Sequence, residues 1–299
     1  MNFSPKSVFR LCGLILPVAC ASALYAGVPG ASTVASTPAS TRYGLFGLLD
    51  HRSNYGESTY PEPFLNDDSN LELNEFRFDW LHTELHPQRS DEFTIEIEHG
   101  FGLLTVEAEL HYERDSAPGE LVKGLGNVDL GARYPVFQYV TQDGLFDTTF
   151  GVALEVGIPT NTVMSKSTEL VPKIFNDTRI GKNITFQSII GYSALYGGDD
   201  DGIHTLEYGV TVGYAIKRED LAIPGVQQIT PVFEVNGEKQ LNKEDKGQNI
   251  VLGNAALRVN LNSLGPIQPR LGVGYVFPMT TAARDEMHWG IFTSLVFEY

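Results

Sequence analysis

The seven histidines of this sequence are its best candidates for acid–base or metal chemistry. His82 and His86 lie four residues apart in the segment HTELH. On a β-strand the two rings would share a face but stand two pleats apart, which is far for one metal ion. The segment also lacks the helical zinc-protease order, in which glutamate follows the first histidine directly. No G-x-S-x-G segment forms a hydrolase nucleophile elbow. We therefore predict no catalytic residue, no metal ligand and no cofactor.

A larger group of ionisable residues recurs with a period of two. Between positions 104 and 112, the polar residues Thr105, Glu107, Glu109 and His111 alternate with apolar ones. This period is typical of a β-strand with two unlike faces. In a soluble sandwich the apolar face would form the core. In a membrane barrel it would contact lipid, and the polar face would line the lumen.

The alternation continues from residue 71 to the C-terminus and predicts an all-β fold of about twelve strands. A strand of a tilted transmembrane barrel needs about 9–11 residues to cross the hydrocarbon layer, and most of these strands are long enough. Short turns alternate with longer polar connections such as 114–125 and 159–169, as in outer-membrane barrels. The predicted strands are 71–86, 92–99, 103–113, 126–138, 146–158, 170–182, 184–196, 204–217, 228–239, 249–262, 266–278 and 286–299.

In the barrel interpretation, one face of these strands is almost free of charge, and the other carries arginines, carboxylates and glycines. Ionised groups that face one another across a narrow lumen must pair, because an isolated buried charge is costly. We therefore interpret this charged set as structural rather than catalytic. The predicted lumen-lining residues are Arg77, Asp79, Glu96, Glu107, Glu109, Asp129, Arg133, Glu155, Asp177, Arg179, Glu207, Glu234, Arg258 and Arg270.

The N-terminal region has the organisation of an export signal. Lys6 and Arg10 form a charged region before the apolar stretch LCGLILPVA, and small residues suited to cleavage follow it. This stretch is too short to cross a bilayer as a helix. Both cysteines of the chain, Cys12 and Cys20, lie in the same region.

These features divide the chain into three predicted parts. Residues 1–23 are predicted to be a signal peptide, 24–70 a linker with a plug segment, and 71–299 the barrel. Within the extension, we expect the apolar residues 45–49 to plug or gate the lumen.

The last strand, HWGIFTSLVFEY, ends on Tyr299 and has apolar residues at alternate positions before it. This arrangement resembles the C-terminal signal by which bacterial outer-membrane barrels are recognised for assembly. With the export signal and the even strand number, it favours a single antiparallel transmembrane β-barrel in the cell outer membrane. The expected partners are outer-membrane lipids, the barrel-assembly machinery and a small-molecule solute. We expect no nucleic-acid partner, because a net charge of −16 would repel backbone phosphates.

Several segments carry a resemblance to a known family. They are GLGNVDLGARY at 124–134, GVALEVGIPT at 151–160, RIGKNI at 179–184 and the closing FTSLVFEY. Over about residues 71–299 the chain resembles the outer-membrane barrels grouped under the meta-pathway of phenol degradation. It departs from them at Asn127, where the family usually has aspartate. The resemblance implies a barrel related in form to fatty-acid and aromatic-hydrocarbon transporters, and a hydrophobic or aromatic solute.

We predict on these grounds an outer-membrane channel or passive transporter for small solutes, and not an enzyme. Three alternatives stay open from the sequence. The first is an outer-membrane enzyme that modifies lipid, which would need a nucleophile and a base within hydrogen-bond distance. The second is a structural barrel with a closed lumen. The third is a soluble secreted sandwich.

Overall fold

The computed structural model describes residues 42–51, 60–67, 69 and 74–299. The predicted signal peptide and residues 24–41 lie outside the described residues. In the described part the chain is almost entirely β-structure, with one 3₁₀ turn, Arg218–Asp220, and one short helix α1, Thr281–Glu286. No helix among these residues is long and apolar enough to cross a membrane.

Thirteen strands follow one another along the described part of the chain. Twelve are long, and β9 has only two residues. The strands are β1 (Glu75–Leu85), β2 (Gln88–Phe101), β3 (Leu104–Ala117), β4 (Glu120–Val140), β5 (Phe146–Ile158), β6 (Thr168–Ile180), β7 (Ile184–Tyr196), β8 (His204–Tyr214), β9 (Ile216–Lys217), β10 (Val226–Gln240), β11 (Asn249–Leu261), β12 (Gln268–Pro278) and β13 (Trp289–Glu298).

The twelve long strands close into one antiparallel barrel. Each pairs with its neighbours in sequence, except that β8 pairs with β10 because β9 only extends the edge beside β10. The first and last strands pair from Glu75↔Glu298 to Glu84↔Trp289, so the barrel has no free edge. The predicted all-β barrel of about twelve strands is confirmed.

The even number of long strands brings both chain ends of the barrel to one end, where the Tyr299 amide donates to the Asn74 carbonyl at 2.9 Å. We call this the terminal end. The opposite end carries the connections 159–167, 197–203, 241–248 and 279–288, and we call it the loop end.

The connection between β3 and β4 differs from the prediction. Residues 114–125 were expected to form a polar loop, but β3 and β4 continue through them and turn at 118–119. Arg114 pairs with Lys123, and the register shifts between Leu110 and Tyr112. This bulge interrupts the period of two. The strands carry polar residues beyond this bulge because the hydrogen bonds between β3 and β4 continue past the apolar part of the outer face.

Two parts of the N-terminal extension contact the barrel. Residues 42–51, here called the rim hairpin, fold back on themselves through Tyr43 and Leu49. They lie beside the end of β4, where the Gln138 amide donates to the Leu48 carbonyl at 3.0 Å. Residues 60–67 and 69, here called the lumen segment, lie inside the barrel, and all of them except Asp67 are buried.

The structure therefore does not place residues 45–49, the expected plug, inside the lumen. Of the residues 45–49, Leu45 is 74 % exposed and Phe46 is 65 % exposed, whereas Leu49 is buried. The apolar tip of the hairpin has no groups that could neutralise a charged lumen. The lumen segment has them, because it carries Glu62, Asn66 and Asp67.

The outer face of the barrel is apolar. Large hydrophobic side chains are exposed at alternate strand positions, while polar side chains between them are buried. This is the reverse of a soluble sandwich, whose apolar face is covered. Residues of the exposed apolar set include Phe150, Val152, Leu154, Ile174, Val212, Val273 and Tyr275.

The change Val152→Arg tests the lipid contact of this face. Val152 is 48 % exposed at the middle of β5. An arginine there should lower the free energy of unfolding by about 2–4 kcal/mol, because it places a cation at the bilayer centre. The measurement is denaturant unfolding of protein inserted in phospholipid vesicles. Val163→Arg, on a loop, should change it little; equal effects at both sites would contradict a lipid-facing β5.

Candidate functional site

The structure buries most of the predicted lumen-lining residues. Ten of the fourteen are buried and four are half-buried. The half-buried four are Glu107, Glu109, Glu155 and Glu207. The buried ten are Arg77, Asp79, Glu96, Asp129, Arg133, Asp177, Arg179, Glu234, Arg258 and Arg270.

Arginines pair with carboxylates across neighbouring strands at the terminal end. Arg133 contacts Glu98 at 2.6 Å and also contacts Glu107. The contact is possible because Gly131 lies opposite Glu107, and a Cβ at Gly131 would overlap the glutamate side chain. The strand register therefore determines which charged side chains meet, and glycine at position 131 leaves room for them.

A second pairing surrounds Arg77. Its guanidinium contacts Asp79 at 2.6 Å and Glu96 at 3.5 Å. The carboxylates of Glu75, Glu96 and Glu98 lie within 4.8 Å of one another, a spacing that a metal ion could bridge. Arg77 and Arg133 already supply positive charge to this group. We therefore interpret it as a charge-balanced network.

Arginines of β1, β11 and β12 hold the lumen segment. Arg270 contacts the Glu62 carboxylate, and Arg258 approaches it at 3.9 Å. Arg258 also donates to the Glu62 carbonyl at 2.7 Å, while Arg77 donates to the Pro63 carbonyl at 2.8 Å. Among the described residues, Glu62 is the only carboxylate within 4 Å of the Arg258 guanidinium.

The wall also satisfies the segment's amide groups. The Glu234 carboxylate accepts from the backbone N–H of Phe64 at 2.9 Å and of Leu65 at 3.3 Å. The Asn236 side chain donates to the Leu65 carbonyl at 3.2 Å. Positions 61 and 63 are prolines, which have no N–H that would need an acceptor. The barrel wall thus replaces the backbone hydrogen bonds that a strand partner would give.

The far end of the segment is held by Lys173. Its amine contacts Asp67 of the segment and Glu155 of β5. Beside it, the Ser69 hydroxyl donates to Asp177 at 2.5 Å. The segment therefore bridges from the arginines of β11 and β12 to the charged residues of β6.

Two glycines leave room for the segment. A Cβ at Gly209 would lie 1.9 Å from the Asn66 side-chain oxygen, and one at Gly272 would lie 2.5 Å from the Phe64 ring. Above Gly272, the Arg258 guanidinium lies 4.3 Å from the centre of the Phe64 ring. The wall therefore has glycine at positions where a larger side chain would overlap the lumen segment.

An apolar cluster adds to these polar contacts. Phe64 meets Phe292 edge to face, with ring centres 5.5 Å apart. The cluster also reaches the helix α1 at the loop end. Its buried members are Phe64, Leu65, Val232, Leu252, Val276, Ala283, Met287 and Phe292.

A small cavity lies beside the lumen segment. Its volume is about 50 Å³, enough for a few water molecules. Its ionisable lining consists mainly of carboxylates, with Lys173 as the cation. The acidic residues that line it are Asp67, Glu109, Glu155, Glu169, Glu207 and Glu238. In this conformation the cavity is too small for a solute such as a sugar or an aromatic acid.

His111 is the buried histidine of the lumen wall. Its Nδ1 lies 2.9 Å from the Thr94 hydroxyl and 3.0 Å from Glu92, and its Nε2 lies 3.5 Å from Glu109. A catalytic relay places the nucleophile and the acid on opposite ring nitrogens. Here a carboxylate faces each ring nitrogen, and the Thr94 hydroxyl shares Nδ1 with Glu92, so we interpret the group as a hydrogen-bonded network.

Sequence reasoning missed Lys173 and Glu62, which anchor the lumen segment. Lys173 alternates with Asp177 and Arg179 on the predicted strand 170–182, so the period of two could have found it. Glu62 lies in a stretch without any period. Its partners are almost two hundred residues away, and no local signal points to them.

No protein-family model and no curated protein matches the chain. Solved structures do match. The chain is similar to the crystal structure of an outer membrane channel from Pseudomonas putida F1, with a TM-score of 0.52 and 11 % identity, over 78 % of this chain and 97 % of that one. This chain has the fold of an outer-membrane β-barrel. The resemblance to the phenol meta-pathway barrels is not confirmed at the level of that family.

Two further solved structures are similar at lower scores. The NanC porin matches with a TM-score of 0.45 and 10 % identity, over 76 % of this chain and 98 % of that one. LpxR from Salmonella typhimurium matches with a TM-score of 0.40 and 10 % identity, over 75 % of this chain and 99 % of that one.

The change Arg133→Ala tests the ion pairs of the wall. It should lower the free energy of unfolding by about 3–5 kcal/mol, because it leaves Glu98 and Glu107 without this cation in a buried site. Denaturant unfolding in lipid vesicles measures the loss. Arg133→Lys keeps the charge and should lose less. A loss within experimental error for Arg133→Ala would show that these contacts carry little of the stability.

Proposed function

We propose that the protein is a passive channel of the outer membrane whose lumen is closed by the lumen segment. The observation that carries this proposal is the lining of the lumen. The wall groups that hold the segment, Arg258, Arg270, Lys173 and Glu234, are hydrophilic. If the segment moved away, these groups would border a path that water can fill. A solved structure with this fold is described as an outer membrane channel, which supports the proposal.

The proposed solutes are small, and the charged wall favours polar ones. The resemblance extends the proposal to hydrophobic or aromatic solutes. Within the lumen, such a solute would find an apolar surface where Phe64 and Leu65 now pack. Movement would follow the solute gradient, and we propose no catalytic step. The terminal end would face the periplasm and the loop end the cell surface, as in other barrels of this kind.

A structural barrel with a permanently closed lumen is the second candidate. The apolar cluster around Phe64 and Leu65 favours it, because release of the segment would expose both side chains to water. The two candidates differ in whether the segment leaves the lumen and whether ions then pass.

The double change Glu62→Gln and Asp67→Asn tests the channel. It removes both carboxylates that the segment offers to Arg258, Arg270 and Lys173 while keeping the side-chain shapes. We expect stable conductance steps in a planar lipid bilayer, and rare or absent steps for the unchanged chain. Asp199→Asn is the matched control. It removes a carboxylate from the exposed loop pair with Lys166, whose hydrogen bond lowers the pKa of Asp199, and should leave the conductance unchanged.

A second measurement tells whether the segment has moved. Both natural cysteines lie in the predicted signal peptide, so Leu65→Cys would introduce the reporter thiol of the mature barrel. A thiol reagent should label it slowly in the closed protein and quickly with the double change. Rapid labelling without conductance would overturn the channel proposal, because the lumen would not conduct even with the segment displaced. If labelling stays slow, Gly209→Leu offers another route, because its side chain would displace Asn66.

A further inference from the structure

The outer face of the barrel carries a row of ionisable residues at the loop end of β1–β4. The row, here called the cation row, consists of Lys123, Arg114, Asp91 and His82. They are consecutive cross-strand partners, Lys123 with Arg114, Arg114 with Asp91, and Asp91 with His82. Directly paired residues of an antiparallel sheet point to the same face. The four side chains therefore form one line across four strands.

A second row lies just below, toward the middle of the barrel. Leu125, Tyr112, Phe93 and Trp80 are consecutive cross-strand partners in the same way. The ring centres of Trp80 and Phe93 are 6.4 Å apart, and those of Phe93 and Tyr112 are 6.5 Å apart. Aromatic rings of this kind concentrate where the hydrocarbon layer meets the headgroups. The aromatic row therefore sets the depth of the cation row at the level of the headgroups.

The cation row has more positive than negative groups. Asp91 is shared, since it contacts His82 at 2.9 Å and Arg114 at 3.8 Å. Arg114 keeps 51 % of its side chain exposed in spite of this contact. Lys123 is exposed and is the cross-strand partner of Arg114. A further arginine, Arg89, lies beyond the row next to Glu84 at 3.5 Å.

This cluster of cations stands out because the chain as a whole has a net charge of −16. Exposed arginine and lysine side chains on adjacent strands, whose backbones are about 4.8 Å apart, can both reach one phosphate group. The solubility of the chain alone would not require these cations at the level of the headgroups.

We propose that the cation row binds the phosphate of a phosphorylated lipid headgroup in the outer leaflet. Arg114 and Lys123 contact the phosphate, Asp91 holds Arg114 and His82 in place, and the aromatic row packs on the acyl chains below. The headgroup, and not a free phosphate ion, is the occupant, because the row continues directly into the lipid-facing surface. The proposal does not depend on whether the lumen conducts.

The test uses the full chain in nanodiscs of phosphatidylcholine to which phosphatidic acid is added in increasing fractions. Tryptophan fluorescence, which comes from Trp80 in the aromatic row and from Trp289 beside His82, reports binding, and native mass spectrometry counts the lipids retained. We expect the double change Arg114→Gln and Lys123→Gln to weaken phosphatidic acid binding by roughly tenfold or more, since each basic residue near the surface adds to the attraction.

Lys239→Gln is the matched control. Lys239 is an exposed cation on the outer face of β10 at the same end, with Leu206 and Asn249 as cross-strand partners. It should leave binding unchanged. The swap Arg114→Lys with Lys123→Arg keeps both charges and should keep most of the affinity, which separates binding from a failure to fold.

Three outcomes would overturn the proposal. One is equal phosphatidic acid binding by the unchanged chain and the double glutamine variant. Another is an equal loss with Lys239→Gln, which would mean that only overall charge matters. The third is full competition by inorganic phosphate at matched concentration, which would assign the row to a free ion. Conductance plays no part in these readouts, so a failed channel would not affect them.

Discussion

Arg258 and Arg270 lie inside a closed sheet, where an unpaired guanidinium loses its hydration without compensation. The barrel wall supplies Arg270 with Glu298, but among the described residues Arg258 finds a carboxylate within 4 Å only on the lumen segment. The segment and the wall are thus electrostatic complements. This constraint explains why a stretch without secondary structure is held inside a regular barrel, and why glycines of the wall are placed where the segment passes.

The same constraint shapes the strands themselves. A closed barrel of twelve strands turns every second residue inward, so the inner face must hold charges that neutralise one another. Arg133 meets Glu98 and Glu107 because the register of β2, β3 and β4 brings them together. The outer face has the opposite requirement, and there the exposed residues are apolar until the headgroup level is reached. Ions reappear on that face beside the aromatic row of β1–β4.

The lumen combines features of a solute path with those of a hydrophobic core. A carboxylate-lined cavity of about 50 Å³ lies mainly on the β5–β8 side of the segment, whereas the β10–β13 side combines the apolar cluster with Arg258, Arg270 and Glu234. Hydrogen bonds and ion pairs can be replaced by contacts with water at low net cost, whereas exposing apolar side chains to water costs free energy. The balance between the two sides decides how readily the segment leaves, and it separates a gated channel from a closed barrel on physical grounds.

The sequence by itself determined the architecture, because a period of two is a local property that recurs along the long strands and marks both faces. It therefore also predicted residues such as Arg133 and Glu234 as inward-facing, and could have added Lys173. It misplaced the β3–β4 connection, since a bulge at Leu110 and Tyr112 shifts the period. Only the tertiary structure decided that Glu62, and not the apolar 45–49, enters the lumen. Charge complementarity between Glu62 and Arg258 or Arg270 acts across the folded barrel, and no local pattern encodes it.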